Sequence, residues 1–173
     1  DQDIIEHIIL NVNYVNDIRT IMIVHDKRLF ACLSNKRIMS RYLSDRELLY
    51  LHQHIIPTYL IDDVKNEIIE NKNQWVLKKC LSGKGEGMFI GLESEVSDME
   101  YVTLEMSDLY IAQPYLKQKK IEIFSNGEYQ PCRSVGMILS LNESYQGTGY
   151  FRTSPERVIA LSKGGYAVAA CFE

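Results

Sequence analysis

Between Trp75 and Gly91 the chain reads WVLKKCLSGKGEGMFIG, two apolar, strand-like runs around a loop that holds Gly83, Lys84, Gly85 and Gly87. Such a loop can cover a phosphate chain. Glycines let successive backbone N–H groups turn toward one anion with no Cβ in the way, and lysines supply charge where several phosphate oxygens must be neutralised. Lys78 falls on the first run, where a strand would hold its side chain rigidly, while Lys84 rides on the loop. An ordinary hairpin with a glycine-rich turn is the alternative reading of the same residues.

The two commonest phosphate motifs do not fit. A P-loop needs four residues between its glycines and then Gly-Lys-Ser/Thr opening a helix, whereas Gly87 leads into Met88, Phe89 and Ile90, a strand-like run. A dinucleotide fingerprint also needs a following helix and fails for the same reason. What remains is a strand, a lid from Ser82 to Gly87, and a second strand.

The elements that must position these residues can be read in order. Ile4, Ile5, Ile8, Ile9, Val12 and Val15 line one face of an amphipathic helix over residues 3–16. Ile21 to Val24 is a candidate buried strand, and His25-Asp26-Lys27 then opens a helical stretch carrying Leu29, Phe30 and Leu33. Ser44-Asp45-Arg46-Glu47 has capping-box spacing and predicts a helix through about Ile55, stopped by Pro57. A brief strand over Tyr59 to Ile61 follows, and Asp62 or Asp63 is expected to cap a helix through Lys72. Trp75 to Lys79 and Met88 to Leu92 are strands, Ser97 to Met106 a helix, and Leu109 to Ala112 a strand ending at Gln113-Pro114-Tyr115-Leu116. Ile121 to Phe124 alternates and meets Asn126-Gly127, the dipeptide of a type I′ hairpin turn, with Val135 to Leu141 as a later strand. A polar loop is expected from Asn142 to Pro155, then strands over Val158 to Leu161 and Tyr166 to Cys171 around Gly164-Gly165.

At 173 residues with a formal charge of −4 and a pI near 5.6, the chain has room for a sizeable core and lacks the basic excess that nucleic-acid binding brings. No nucleic-acid partner is expected. Lys117, Lys119 and Lys120 are the one local concentration of positive charge, best read as solvated. Cys32, Cys80, Cys132 and Cys171 show no short paired spacing, so neither a zinc ribbon nor a redox motif is suggested. A reduced, cytoplasmic protein is the simplest expectation, and no apolar run approaches the roughly 20 residues that span a membrane. His52 and His54, two apart on a helix, point to different faces and make a poor metal pair. The chain opens at Asp1 inside an expected helix, as a piece of a longer protein would.

Taken together, Asp26-Lys27-Arg28, Ile56-Pro57-Thr58, Trp75-Val76-Leu77-Lys78, the lid, Tyr110-Ile111-Ala112-Gln113-Pro114-Tyr115 and the run from Gly149 through Arg152 to Gly164-Gly165 make a more specific pattern than any one of them. The pattern, over about residues 20–171, resembles the ATP-grasp superfamily. Closer in, it is similar to the C-terminal portion of the circularly permuted ATP-grasp group that includes glutathionylspermidine-synthase-like proteins. The resemblance implies an α+β, ATP-grasp-like fold: a helical N-terminal segment over residues 1–55, a small subdomain with the Gly-rich lid over 56–116, and a second subdomain over 117–173. Mainly antiparallel sheets would enclose a nucleotide cleft.

It also implies roles. Lys78 would contact the α-phosphate and adenine edge, Lys27 would be a second lysine on the phosphates, and Ser82, Gly83, Lys84, Gly85 and Gly87 would close over the β- and γ-phosphates. Gln113 holds the hinge position where many relatives have a carboxylate facing the adenine amino group, and the backbone near Tyr115 and Leu116 would read the other ring edge. Arg133 and Arg152 would be the catalytic pair, stabilising charge on the transferring phosphoryl group and on the acylphosphate that follows. An ion pair between Arg152 and Glu156 is the alternative for that arginine. ATP and Mg²⁺ are the implied cofactors, but the metal ligands are unknown: Ala160, Leu161 and Ser162 before the Gly-Gly offer none, and a permuted relative would carry them upstream of Asp1. Lys79 also departs from the Pro that relatives commonly carry there.

The expected function is an ATP-dependent carboxylate–amine ligase, joining a small-molecule or peptide carboxylate to an amine, with this chain as the whole or only part of the catalytic unit. A noncatalytic nucleotide-binding or interaction module that has lost metal chemistry is the alternative. The first helix can pack either on the body of the domain or on a second copy, so a homo-oligomer stays open.

Overall fold

The computed structural model describes residues 2–12, 18–125 and 127–169, and shows an α+β protein built on small antiparallel sheets. The chain divides into two compact units, one of Asp1–Ser82 with Gly87–Tyr115, the other of Gly83–Glu86 with Leu116–Glu173.

The first unit begins with helices α1 (Gln2–Asn11), α2 (Ile18–Val24), α3 (Arg28–Ser34), α4 (Lys36–Met39) and α5 (Asp45–His54). Strand β1 (Tyr59–Leu60), helix α6 (Lys65–Glu70), strands β2 (Trp75–Lys79) and β3 (Met88–Ile90), helix α7 (Val96–Glu105) and strand β4 (Tyr110–Pro114) complete it. The four strands form one antiparallel sheet in the order β1-β4-β2-β3. Because side chains alternate across a strand, the register sorts this sheet into two faces. Leu77, Phe89, Ala112, Trp75 and Tyr110 share the face that packs with Ile61, Val64, Ile68, Met99 and Val102, so α6 and α7 close the hydrophobic core. Val76, Lys78, Met88, Ile90, Ile111 and Gln113 share the other.

Local chemistry explains most boundaries. Ser44 accepts from the Glu47 N–H while Glu47 Oε2 takes the Ser44 N–H at 2.9 Å, so the capping box forms as its spacing demands. Asp26 accepts the Arg28 N–H at 2.9 Å and grips its guanidinium, which opens α3.

Two expectations fail in this unit. Ile21–Val24 is helix, not buried strand: a short apolar run has no period of its own, the helical bonding runs on through the His25 N–H to the Ile21 carbonyl at 3.0 Å, and Ile21, Ile23 and Val24 are all exposed. Asp62 and Asp63 cap nothing; they lie in a 3-10 turn over Ile61–Asp63, which spends the residues that would have preceded α6, so Val64 stands at its N-terminus. On α1 no residue is buried, and the part of that expected helix from Asn13 to Asn16 lies outside the described residues.

In the second unit, β5 (Ile121–Ser125), β6 (Glu128–Val135), β9 (Phe151–Ser154) and β10 (Tyr166–Val168) make an antiparallel sheet in the order β10-β9-β6-β5, and β7 (Ile138–Leu141) pairs with β8 (Ser144–Thr148). Ser125 pairs with Glu128 across a two-residue connection in which Gly127 has φ +88°. That is the tight hairpin its glycine suits; Asn126 lies outside the described residues, as does Cys171 at the end of the last expected strand.

Three corrections belong to this unit. The return strand starts at Glu128 rather than Val135, and it breaks at Gly136, where a Cβ would come within 2.5 Å of the Phe151 ring. The supposed loop from Asn142 to Pro155 contains β8 and β9; Asn142 and Glu143 take φ of +47° and +63° and make the turn of the β7–β8 hairpin without any glycine. Val158–Leu161 is not a strand but leads into a 3-10 turn over Leu161–Lys163, closed by Gly164 at φ +81°. The Gly-Gly pair is therefore a structural stop, with Gly165 pressed against the Ala160 and Thr153 carbonyls.

Gly91 follows β3 so closely against the Lys72 carbonyl that a Cβ there would sit 1.7 Å from that oxygen. Gly83, in the lid, has nothing within 4 Å of the same point. Gly91→Ala is expected to destabilise the protein by roughly 2 kcal/mol or more, a backbone clash being among the few causes of a large single-residue effect, and Gly83→Ala by less than about 0.5 kcal/mol. Urea denaturation of the two variants beside the parent checks both.

Candidate functional site

Lys78 stands at the centre of the polar part of the first sheet. It pairs with Ile111 on β4 and Met88 on β3, and lies diagonally beside Gln113 on the same face. Its ammonium donates to Gln113 Oε1 at 2.6 Å, and Gln113 Nε2 donates to Thr58 Oγ1 at 2.7 Å. Burial holds the Lys78 ammonium below the ordinary lysine range, and the neighbouring Lys27 charge adds to the effect. Among the described residues no carboxylate forms an ion pair with Lys78 or Lys27.

Lys27, at the start of α3, uses its ammonium on three carbonyls: Lys79 at 2.8 Å, Cys80 at 3.3 Å, and Ser82. Its own N–H donates to the Cys80 carbonyl at 3.2 Å. The side chain expected to reach phosphates thus fastens the base of the lid, and direct contact with an anion would require it to exchange one of these oxygens. Its charge is still felt at Lys78. All the hydrogen-bond acceptors of the two ammonium groups are neutral.

The lid is shaped by left-handed backbone at Lys84, Gly85 and Gly87, with φ of +57°, +73° and +60°. Two of these positions carry the residue that takes such a conformation without strain; Lys84 does not. The Lys79 N–H reaches the Gly87 carbonyl at 3.3 Å, and Glu86 N–H closes a turn on the Gly83 carbonyl at 3.0 Å. In the second unit, Gly85 lies against Val158, and its carbonyl is 3.4 Å from Lys163 Nζ.

Gln113 is 8% exposed and turned toward Lys78 and Thr58. Tyr115 gives its backbone N–H to the Gln74 carbonyl at 2.6 Å, so that donor is taken, and Leu116 is exposed. Arg133 and Arg152 share one face of the second sheet, since Arg133 pairs with Ser154 and Val135 with Arg152. Arg133 Nη1 donates to the Pro155 carbonyl at 2.7 Å, while Arg152 Nε is buried without a partner. No ion pair joins Arg152 to Glu156 among the described residues. On the opposite face of these strands Ser134 and Thr153 lie directly across from each other, and both hydroxyls are buried and unpartnered.

Sequence reasoning counted Thr58 in the family pattern without giving it a role, and missed Ser34, Ser134 and Thr153. Thr58 was within reach, as a hydroxyl directly after Pro57 and before a strand; the other three carry no local signal. His52 and His54 are structural, bonding to the Leu33 and Tyr50 carbonyls at 3.2 and 2.7 Å. Among the described residues no three His, Cys, Asp or Glu side chains gather to hold a metal ion, so no residue is assigned to Mg²⁺. No helix among them is long and apolar enough to cross a membrane. Comparison with protein-family models and with curated proteins finds no match.

A lysine whose folded pKa lies below its unfolded value gives a stability that rises with pH between the two, because there the unfolded chain holds the extra proton. The stability difference between the parent and Lys78→Met is therefore expected to move in the parent's favour as pH is raised from 7 to 10. Melting curves at several pH values test the sign, and a difference that stays flat would show that burial does not depress Lys78.

Proposed function

We propose that this chain binds a nucleoside triphosphate and forms part of an ATP-dependent carboxylate–amine ligase of the ATP-grasp type. The observation that carries the reading is the Lys78 ammonium, half-buried beside a second cation and held by a neutral acceptor. A charge drawn partly out of water without a counter-ion is costly, and an anionic ligand is a group that would offset it. Polyphosphate suits such a place, with a glycine-containing lid next in sequence.

When bound, ATP would supply the phosphoryl group that activates a carboxylate for attack by an amine. Lys78 would hold the phosphate chain and Lys27 would raise the local potential from its place at the lid base. Arg133 and Arg152 would stabilise charge on the transferred group, and the unpartnered Arg152 Nε leaves a donor for that purpose. The described residues do not compose a Mg²⁺ site, and no step is assigned through the ion.

Mg·ATP at about 100 times its Kd is expected to stabilise the parent by roughly 2.7 kcal/mol, which is several degrees of melting temperature for a chain of this size, and Lys78→Ala is expected to abolish the shift. Thermal unfolding of both proteins across an ATP titration is the measurement. An unchanged melting temperature in the parent would end the nucleotide reading, and binding without acid- and amine-dependent ADP release would favour a noncatalytic nucleotide-binding module.

A further inference from the structure

The contacts around Lys78 run in one direction. An ammonium has no acceptor, so the amide atom facing it at 2.6 Å must be Gln113 Oε1, which leaves Nε2 for Thr58 Oγ1 at 2.7 Å. A hydroxyl that accepts from Nε2 has its own proton free, and Thr58 gives that proton to the Ile56 carbonyl at 3.1 Å. The chain of donors is Lys78, Gln113, Thr58, and it ends on backbone.

Thr58 is anchored independently. It is 2% exposed, its N–H donates to Ser34 Oγ at the end of α3 at 2.9 Å, and Pro57 before it has a fixed φ and restricts Ile56. Bonds aligned in this way polarise one another. The groups facing Lys78 from its neighbouring strands are neutral: Met88 on β3, Ile111 and Gln113 on β4. Lys79 points to the opposite face of β2, and the charge that acts on Lys78 from another element is Lys27.

We infer that Thr58 and Gln113 form a positioning relay for Lys78: Thr58 fixes which end of the Gln113 amide faces the lysine, and Gln113 fixes the ammonium without neutralising it. The relay deepens the nucleotide reading and rests on it for the identity of the ligand. Neither residue need touch the ligand. A carboxylate at position 113 would hold the ammonium as well but would cancel the charge an anion needs.

The test begins without ligand, by NMR titration of the Lys78 side chain in the parent, Thr58→Val, Thr58→Ser and Gln113→Glu. Loss of the Thr58 hydroxyl frees the Gln113 amide to turn, so Thr58→Val is expected to lower the Lys78 titration midpoint, Thr58→Ser to restore it, and Gln113→Glu to raise it. Inorganic triphosphate is the binding probe. Its affinity is expected to fall about three- to tenfold in Thr58→Val, the value of one hydrogen bond, with Thr58→Ser near the parent. Gln113→Glu is expected to bind more weakly still despite its higher midpoint. Should Thr58→Val not fold, Gln113→Glu carries the test, since it keeps the side chain's shape.

An unmoved midpoint in the folded variants overturns the relay, and triphosphate binding by the parent would then leave the nucleotide reading intact. A midpoint that moves as expected in a parent that binds no triphosphate supports the relay and removes the nucleotide reading.

Discussion

The first sheet draws the Lys78 ammonium partly out of water, and its surroundings answer that cost. An isolated charge moved out of water either loses its proton or finds compensation. Here the compensation is one amide oxygen, itself held from behind by a buried hydroxyl. The arrangement needs β2 and β4 in register, because the diagonal neighbour of Lys78 changes identity if either strand slips, and a change of parity along β2 would turn Lys78 into the apolar face and Leu77 out of it. The core of Leu77, Ala112, Ile68 and Met99 on the other face therefore does more than hold the sheet: it fixes the parity that aims Lys78.

The second lysine shows how one charge can serve both architecture and electrostatics. Three carbonyls around the Lys27 ammonium tie the start of α3 to the residues between β2 and the lid, and α3 in turn presents Ser34 to the backbone of Thr58. Helix, lid base and relay are thus joined by polar contacts that use no carboxylate. Asp26, the nearest acid in sequence, grips Arg28, which holds its carboxyl below the usual range, and the Lys27 charge adds to that effect.

Much of the first unit was legible because its signals are local. The capping box at Ser44, the two strands flanking the lid, and the helical stretch that becomes α7 each depend on neighbours a few residues away. Failures came where tertiary context decides. Ile21 to Val24 suits a strand by composition, but no sheet edge receives it, and β8 and β9 were hidden because Gly147 and Ser154 read as loop although their backbones pair. The candidate site was half legible. The residue types at Lys27, Lys78, Gln113 and Arg152 announce themselves; that Lys27 would be tied to carbonyls and that Thr58 would stand behind Gln113 are long-range facts, since 55 positions separate Thr58 from Gln113.

The two units differ in what they bury. Isoleucine, leucine, valine and methionine fill the first, whereas the fully buried positions of the second are Cys132, Thr153 and Ser154, with Ala160 nearly so. Small polar side chains give little apolar area, so the second sheet must draw more of its stability from backbone ladders and from satisfying its own polar groups. Yet Ser134 and Thr153 face each other unpartnered, and Arg152 Nε is unpartnered on the other side of the same strands. A buried hydroxyl left without a partner costs on the order of 1–3 kcal/mol. A sheet built with such groups on both faces gains less from its buried side chains than the first, whose core is apolar.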